Sequence, residues 1–140
     1  MITGKNLITA STSKLFFLTL LLLIVINITE GETMNKVLIT KDDNNKEITI
    51  KSGEIIWIEL EVFGAAGYTW HIDKLDKEYL LVISKGTKDN SIGKVGAPVV
   101  KYWQIKAINK GVTRLRMLYF RPWEGAEKSA EKFEVKLNIK

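Results

Sequence analysis

The chain of 140 residues contains no cysteine, one histidine and two prolines. Without cysteine it has no disulfide framework, no thiolate zinc site, no thiol nucleophile and no attachment point for a lipoprotein anchor. The histidine, His71, lies between Trp70 and Ile72 on a predicted strand, so alternation makes it a solvent-exposed or sheet-edge residue rather than a catalytic base. A Gly-x-Ser-x-Gly nucleophile motif is also missing. The sequence therefore predicts a protein that is not an enzyme, with no catalytic residue, metal site or cofactor.

The excess of positive charge is small and diffuse. The chain has 21 Lys and Arg against 16 Asp and Glu, a formal charge of +5, and the lysines are scattered instead of gathered on one stripe. A nucleic-acid partner is therefore not expected. With 46% hydrophobic and 26% charged residues, the composition is ordinary for one globular domain that buries its own core.

A long hydrophobic run occurs only near the amino terminus. Leu15 to Ile28 is almost unbroken hydrocarbon and follows Lys5 and Lys14, which is typical of an export signal. The run is shorter than the roughly 20 residues of a membrane-spanning helix, which favours a cleaved signal over an uncleaved anchor. We expect residues 1–31 to be the signal, with cleavage after Gly31, and residues 32–140 to be a secreted or periplasmic domain. No membrane contact is expected beyond the anchor that an uncleaved signal would form.

Beyond residue 35 the apolar residues recur with period 2, the spacing of strands with one buried face. The clearest case is residues 55–63, where Ile56, Ile58 and Leu60 alternate with Trp57 and Glu59. Helical periodicity is limited to a short turn near residues 73–78. The predicted strands, lettered in chain order, are A (37–50), B (55–63), C (68–72), D (79–84), E (99–108), F (112–120) and G (132–139). About seven short strands predict an all-β, immunoglobulin-like β-sandwich.

The two ends of this sandwich are predicted to differ. Antiparallel succession brings connections A–B, C–D and E–F to one end and B–C, D–E and F–G to the other. The first end has tight turns at Ser52-Gly53 and at residues 109–111. The second end carries residues 64–67, residues 85–98 and residues 121–125, with several glycines and both prolines. We expect the second end, with its three loops, to bind a partner.

The tryptophans divide by their phase in the strands. Trp70 and Trp103 share the phase of apolar neighbours and are predicted to be buried, whereas Trp57 is out of phase and covers a sheet face or edge. Trp123 follows Pro122 in a loop, where it either anchors an interface or packs against its own loop. The neighbouring Arg121 either donates to a backbone carbonyl or carboxylate, or caps the loop.

Taken together, the three loops resemble those of the chagasin-like inhibitors of papain-type cysteine proteases, and the resemblance covers most of residues 35–140. The family's B–C loop reads Asn-Pro-Thr-Thr-Gly-Tyr or Phe, followed shortly by Trp. Here Gly67-Tyr68-Thr69-Trp70 matches the second half, whereas residues 63–66, Phe-Gly-Ala-Ala, replace the first half and remove its hydroxyl groups.

The other two loops resemble the family's remaining motifs. Its D–E loop is of the Gly-x-Gly-Gly type, of which Gly96-Ala97-Pro98 keeps the first glycine. Its F–G motif, Arg-Pro-Trp, is intact at residues 121–123, and Gly111 matches a family glycine between strands E and F. The order, spacing and strand context agree for all three loops.

The resemblance implies a reversible, tight-binding inhibitor that acts as a monomer and enters the cleft of a papain-like cysteine protease, over the catalytic cysteine, without being cut. The protease-binding residues that it implies are Gly64, Ala65, Ala66, Gly67, Tyr68, Gly96, Ala97, Pro98, Arg121, Pro122 and Trp123. The alternative from another class is an exported immunoglobulin-like adhesion or carbohydrate-binding module, with Trp123 and Tyr68 as a stacking platform.

Overall fold

The computed structural model describes residues 36–63, 66–88 and 97–140. The strands in these residues are β1 (Val37–Ile39), β2 (Glu47–Ile50), β3 (Ile55–Val62), β4 (Thr69–Lys74), β5 (Leu80–Lys88), β6 (Val99–Ala107), β7 (Gly111–Phe120) and β8 (Glu131–Ile139). No helix in this part of the chain is long and apolar enough to cross a membrane. The predicted signal, residues 1–31, lies outside the described residues.

The strands form two four-stranded sheets with orders β1-β3-β6-β5 and β2-β8-β7-β4. In the first sheet β3 and β6 pair antiparallel from Ile55↔Lys106 to Val62↔Val99. In the second sheet β7 and β8 pair antiparallel from Gly111↔Ile139 to Tyr119↔Glu131. The apolar faces of both sheets form one buried core, which includes Ile58, Trp103 and Ile105 from the first sheet and Trp70, Met117 and Phe133 from the second. The predicted all-β sandwich is confirmed, as is the burial of Trp70 and Trp103.

Predicted strand A is wrong as a single element, because the chain changes sheets within it. β1 runs parallel to β3 in the first sheet, and β2 runs parallel to β8 in the second. A turn of 3-10 helix at Lys41–Asp43 separates them, closed where the Thr40 backbone N–H donates to Asp43 Oδ2 at 2.9 Å. Asn44 then bonds β8, since its Oδ1 accepts from the Glu134 backbone N–H at 2.8 Å.

Predicted strand D ends too early, and the helical turn expected near residues 73–78 does not form. β4 extends to Lys74 and is followed by a turn before β5. A register shift between Val82 and Ser84 interrupts the alternation of β5, after which Lys85 pairs with Trp103 and Thr87 with Lys101. Because a bulge changes which residues face inward, the period-2 pattern ends at the bulge although the strand continues to Lys88.

The connections β2–β3, β4–β5 and β6–β7 meet at one end of the sandwich, here called the turn end (residues 51–54, 75–79 and 108–110). Backbone hydrogen bonds tie them to strand ends, from Ser52 N to Lys140 O at 2.9 Å and from Gly53 N to Ala107 O at 2.8 Å, and join two of them, from Ile108 N to Tyr79 O at 2.9 Å. The prediction that this end contains short turns that reverse the chain is confirmed.

Candidate functional site

The β3–β4, β5–β6 and β7–β8 connections leave the opposite end of the sandwich, here called the loop edge, whose described residues are 63, 66–68, 97–98 and 121–130. The strand register brings them together. Val62, at the end of β3, pairs with Val99, and Lys88, at the end of β5, pairs with Val100. In the second sheet Thr69 pairs with Phe120 where β4 begins and β7 ends. The B–C, D–E and F–G loops therefore start and finish side by side, as the alternation predicts.

A contact between the B–C and F–G loops joins Gly67 to Trp123. Gly67 has a φ of +78°, a conformation that favours glycine. A Cβ placed on Gly67 would lie 2.2 Å from the Cη2 atom of Trp123, so the bare backbone is needed for the indole to approach. Trp123 nevertheless stays 72% exposed. Its edge rests on the neighbouring loop, and most of its surface is left for a partner.

Arg121 forms a second link between the same two loops. Its Nε donates to the backbone carbonyl oxygen of Ala66 at 2.7 Å, and its Nη1 donates to Glu124 Oε1 at 3.3 Å. The guanidinium carbon also lies 4.6 Å from the centre of the Tyr68 ring, a cation–π distance. The sequence predicted that Arg121 either donates to a carbonyl or carboxylate or caps the loop. The structure shows that it donates to both a carbonyl and a carboxylate.

The B–C loop is anchored at both ends by buried aromatic side chains. Tyr119 accepts a hydrogen bond at its hydroxyl from the Phe63 backbone N–H at 3.1 Å, and its ring stacks on Tyr68 with centroids 5.4 Å apart. Trp70 packs on Tyr119 at 4.9 Å and donates from Nε1 to the Glu61 carbonyl oxygen at 2.9 Å. The described residues at both ends of this loop are thus bonded to or packed on the core.

Lys101 connects the two sheets beneath the loops. Its Nζ donates to Thr69 Oγ1 at 2.7 Å, which joins β6 of the first sheet to the first residue of β4 in the second. Sequence reasoning missed this pair and missed the anchoring role of Tyr119, because both depend on strand register. It also left Phe63 out of the site, although Phe63 is 58% exposed at the loop edge. The signal for Phe63 was available, since a large aromatic follows Val62 where the buried alternation ends.

The structure brings some of the predicted site residues together. Gly67 meets Trp123, while Ala66 and Tyr68 meet Arg121. Pro122 is exposed beside them. Ala97 and Pro98 are half-buried and lead into β6, next to the end of β3, without a hydrogen bond to the other described site residues. Gly64, Ala65 and Gly96 lie outside the described residues.

His71 is on an edge strand, which is one of its two predicted placements, and its side chain is half-buried. Its ring packs on Phe120 with centroids 4.4 Å apart, and its Nε2 is buried without a hydrogen-bond partner among the described residues. Burial, followed by the positive charges of Lys101 and Lys85, lowers the pKa of His71 below its usual 6.5. Within residues 36–63, 66–88 and 97–140, no three His, Asp or Glu side chains are grouped as metal ligands.

Comparison with known proteins agrees with this architecture. Residues 49–137 match the family model described as Chagasin family peptidase inhibitor I42. The chain belongs to this family. It is therefore related to peptidase inhibitors and not to enzymes, as the missing catalytic groups predict.

Individual relatives extend the match over most of the domain. The chain is 28% identical to amoebiasin-2 of Entamoeba histolytica over 90 residues. This aligned region covers 62% of this chain and 72% of that protein. Its fold is similar to the crystal structure of the cysteine protease inhibitor EhICP2 of Entamoeba histolytica, with a TM-score of 0.67 and 21% identity over 79% of this chain and all of that one. It is also similar to PbICP-C, solved in complex with falcipain-2, with a TM-score of 0.54 and 17% identity over 80% of this chain and 95% of that one.

Proposed function

We propose that this protein is a reversible, tight-binding inhibitor of papain-type cysteine proteases that occludes the active-site cleft with its loop edge. Membership of the chagasin family supports the inhibitory activity and the class of partner. The fold that it shares with EhICP2, a cysteine protease inhibitor, and with PbICP-C, which was solved bound to falcipain-2, agrees with this partner.

The observation that carries the proposed mechanism is the pair of links between the B–C and F–G loops. The Arg121 bond to Ala66 and the Trp123 contact with Gly67 hold the second half of the B–C loop against the F–G loop before any protease is bound. A preorganised surface loses little conformational entropy on association, so more of its contact energy appears as affinity.

The proposed contact surface combines small backbone with exposed aromatic area. Ala66 and Gly67 let the chain approach the floor of a narrow cleft, and Phe63 and Trp123 offer apolar surface on either side. Large aromatic side chains that lose their solvent when a partner binds often contribute most of the binding energy of an interface. An interface of about 1,600 Å² in total, the usual size for protease inhibitors, needs little more than the three loops and the residues beneath them. Gly64, Ala65 and Gly96 belong to the proposed surface through the resemblance of their loops to the family motifs.

The same proposal includes export of the protein. The apolar run from Leu15 to Ile28, preceded by lysines, supports residues 1–31 as a cleaved signal and a secreted or periplasmic site of action. Measuring the amino-terminal residue and mass of the protein recovered outside the producing cell's cytoplasm tests this directly. A product that begins near residue 32 is expected, and a full-length chain retained in the cytoplasm would contradict export.

The inhibitory function is tested by titrating residues 32–140 against papain and a cathepsin L-type protease. Residues 34–140 form one compact unit that contains the whole described core, so this fragment is expected to fold. Stoichiometric, reversible loss of protease activity, with the inhibitor intact on a gel, is the expected result. Absence of inhibition by a folded fragment would contradict the proposal. The adhesion or carbohydrate-binding alternative, which the exposed Trp123 also fits, predicts instead glycan binding that Trp123→Ala abolishes.

A further inference from the structure

A groove runs along the open side of the sandwich, between the edge strands β4 and β5. It has a volume of about 950 Å³ and continues onto the inner part of β6. Its lining includes Trp70 and His71 of β4, Lys85 and Thr87 of β5, and Lys101 of β6. The groove is open to solvent along both strand edges, because neither edge has a further strand paired to it in the described sheets.

The ionisable side chains that line this groove and carry charge at neutral pH are cationic. Among the described residues of the lining, Lys85 and Lys101 are both present and no Asp or Glu occurs. In the described parts of the chain neither lysine has a carboxylate within ion-pair distance, and Lys101 donates to the neutral hydroxyl of Thr69. Lys88, the last residue of β5, differs from them because its charge is paired with that of Glu59. The two groove lysines therefore present positive charge that the surrounding described side chains do not neutralise.

The groove also adjoins the loop edge. Thr69, which accepts the Lys101 hydrogen bond, follows Tyr68 of the B–C loop directly, and Thr87 lies one residue from the end of β5. Trp70 lines the groove and also packs on Tyr119, the residue that anchors the B–C loop. Any large partner seated on the loops lies within reach of the upper part of the groove. The groove is thus a continuation of the proposed inhibitory surface down one side of the sandwich.

We propose that this groove receives an acidic segment from the rim of the target protease's cleft, with a carboxylate of that segment bound between Lys85 and Lys101. This inference rests on the proposed inhibitory function and adds a second contact region to it. A carboxylate placed there would replace solvent around two cations in a partly enclosed setting, where charge pairs are stronger than on an open surface. Opposite charge at this position would also favour association with proteases whose cleft rim is acidic over those whose rim is basic.

His71 supplies a built-in reporter for this contact. It is the only histidine of the chain, and the charges that face it come from Lys101 on β6 and Lys85 on β5, while β7 contributes the neutral ring of Phe120. Both lysines lower the pKa of His71 after the larger effect of burial. A carboxylate bound between them would offset their charge and raise the pKa of His71, whereas a partner that buried the ring without bringing a carboxylate would lower this pKa further.

The test compares variants of residues 32–140 against a papain-type protease that the unaltered fragment inhibits. The double variant Lys85→Gln, Lys101→Gln removes both charges, and Lys110→Gln removes one exposed lysine at the turn end as a control. A second control, Thr69→Val, removes the hydrogen bond to Lys101 but leaves both charges in place. Inhibition constants are measured at low salt, about 20 mM, and at high salt, about 500 mM, because screening separates charge effects from packing effects. Thermal melting confirms that each variant is folded.

The proposal predicts that the double variant binds about five- to twentyfold more weakly at low salt, and that most of this difference disappears at high salt. Lys110→Gln is expected to match the unaltered fragment, and Thr69→Val is expected to keep its salt dependence. NMR titration of ¹⁵N-labelled histidine should show a higher His71 pKa in the complex than in the free inhibitor.

An unchanged inhibition constant in the folded double variant, or a His71 pKa that does not rise on binding, would overturn the groove contact while leaving the inhibitory function intact. If the unaltered fragment inhibits no papain-type protease, the proposed function itself fails and this inference fails with it.

Discussion

The turn end and the loop edge of the sandwich differ in the bonds that hold their connections. At the turn end, backbone hydrogen bonds tie the connections to strand ends, as from Gly53 N to Ala107 O, and to each other, as from Ile108 N to Tyr79 O, and Asn109 Nδ2 adds a side-chain bond to Glu78 O. At the loop edge the links use side chains, from Arg121 to the Ala66 carbonyl and from Trp123 onto Gly67, and large aromatic surface remains exposed. The turn end therefore contributes mainly to the stability of the fold. The loop edge positions exposed side chains that a partner can contact.

Two glycines allow the sharpest comparison of the ends, because both adopt a positive φ. Gly67 at the loop edge has a φ of +78° and Gly53 at the turn end has a φ of +92°. Alanine at either position is strained by about 1–2 kcal/mol. Only at Gly67 does the added Cβ also meet a side chain, Trp123, since nothing lies within 4 Å of the corresponding position at Gly53. Gly67→Ala is therefore expected to weaken inhibition about a hundredfold, because it displaces the indole and also strains the backbone of the proposed contact surface.

Gly53→Ala is expected to lower the melting temperature about as much as Gly67→Ala does, because both substitutions place alanine at a positive φ. It is expected to leave the inhibition constant unchanged. Inhibition assays and thermal melts on the two variants make the comparison. Equal loss of inhibition in both variants, or none in either, would remove the distinction between the two ends.

The exposed apolar side chains also differ between the ends. Trp123 at the loop edge is 72% exposed, and Val112, near the turn end, is 56% exposed. Trp123→Ala is expected to weaken inhibition about thirtyfold, because an aromatic anchor at an interface commonly contributes 2 kcal/mol or more, that is, about this factor. Val112→Ala should leave inhibition unchanged. Both variants should melt close to the unaltered protein, and a Trp123→Ala variant that inhibits normally would exclude the indole from the contact surface.

Two arginines, one in the F–G loop and one within β7, test the role of the links between the loops. Arg121 bonds the Ala66 carbonyl and Glu124, whereas Arg114 pairs with Glu134 on the outer face of β7 and β8, where its side chain is mostly exposed. Arg121→Gln is expected to weaken inhibition about five- to tenfold through loss of loop preorganisation. Arg114→Gln, which breaks an exposed ion pair, should change neither inhibition nor stability measurably. The comparison fails if both substitutions weaken inhibition to the same extent.

The smallest expected effect is a pH dependence of stability that arises from His71. Because its pKa is lowered in the folded protein, the unfolded chain takes up a proton first as the pH falls. Stability is fully present above the unfolded pKa, near 6.5, and is lost as the pH falls from there toward the lower folded pKa. Melting temperatures between about pH 7.5 and pH 5 should show this loss, and His71→Gln should remove it. An equal loss in the variant would assign the effect to other groups.

Much of the fold could be predicted from the sequence, because strands with one buried face have a local, period-2 signature. β3 and β8 follow this pattern closely. The pattern could not predict the break between β1 and β2, where Asn44 bonds a strand about 90 residues away. It also ended early in β5, where the bulge beyond Val82 shifts the register and places Lys85 opposite Trp103.

The candidate site could be predicted in part, for a similar reason. The loops could be placed at one end from strand order, and Arg121-Pro122-Trp123 could be matched to a family motif. Two of the bonds that hold the loops join residues 55 or more positions apart, namely the Arg121 bond to Ala66 and the Tyr119 bond to Phe63. Such contacts depend on the register of β4 with β7, which composition and alternation do not specify. The placement of His71 on a sheet edge could be predicted, but alternation does not predict that Phe120 packs on its ring.

Photo-crosslinking tests the central claim, that the loop edge occupies the protease cleft, most directly. Phe63 is exposed at the loop edge and can be replaced by a photoreactive phenylalanine analogue, with the same analogue at Lys110 as the turn-end control. After irradiation with a papain-type protease, peptide mapping is predicted to show crosslinks from position 63 to residues that line the catalytic cleft, and none from position 110. Crosslinks from position 110 to the cleft, or from position 63 only to surfaces outside it, would contradict the account.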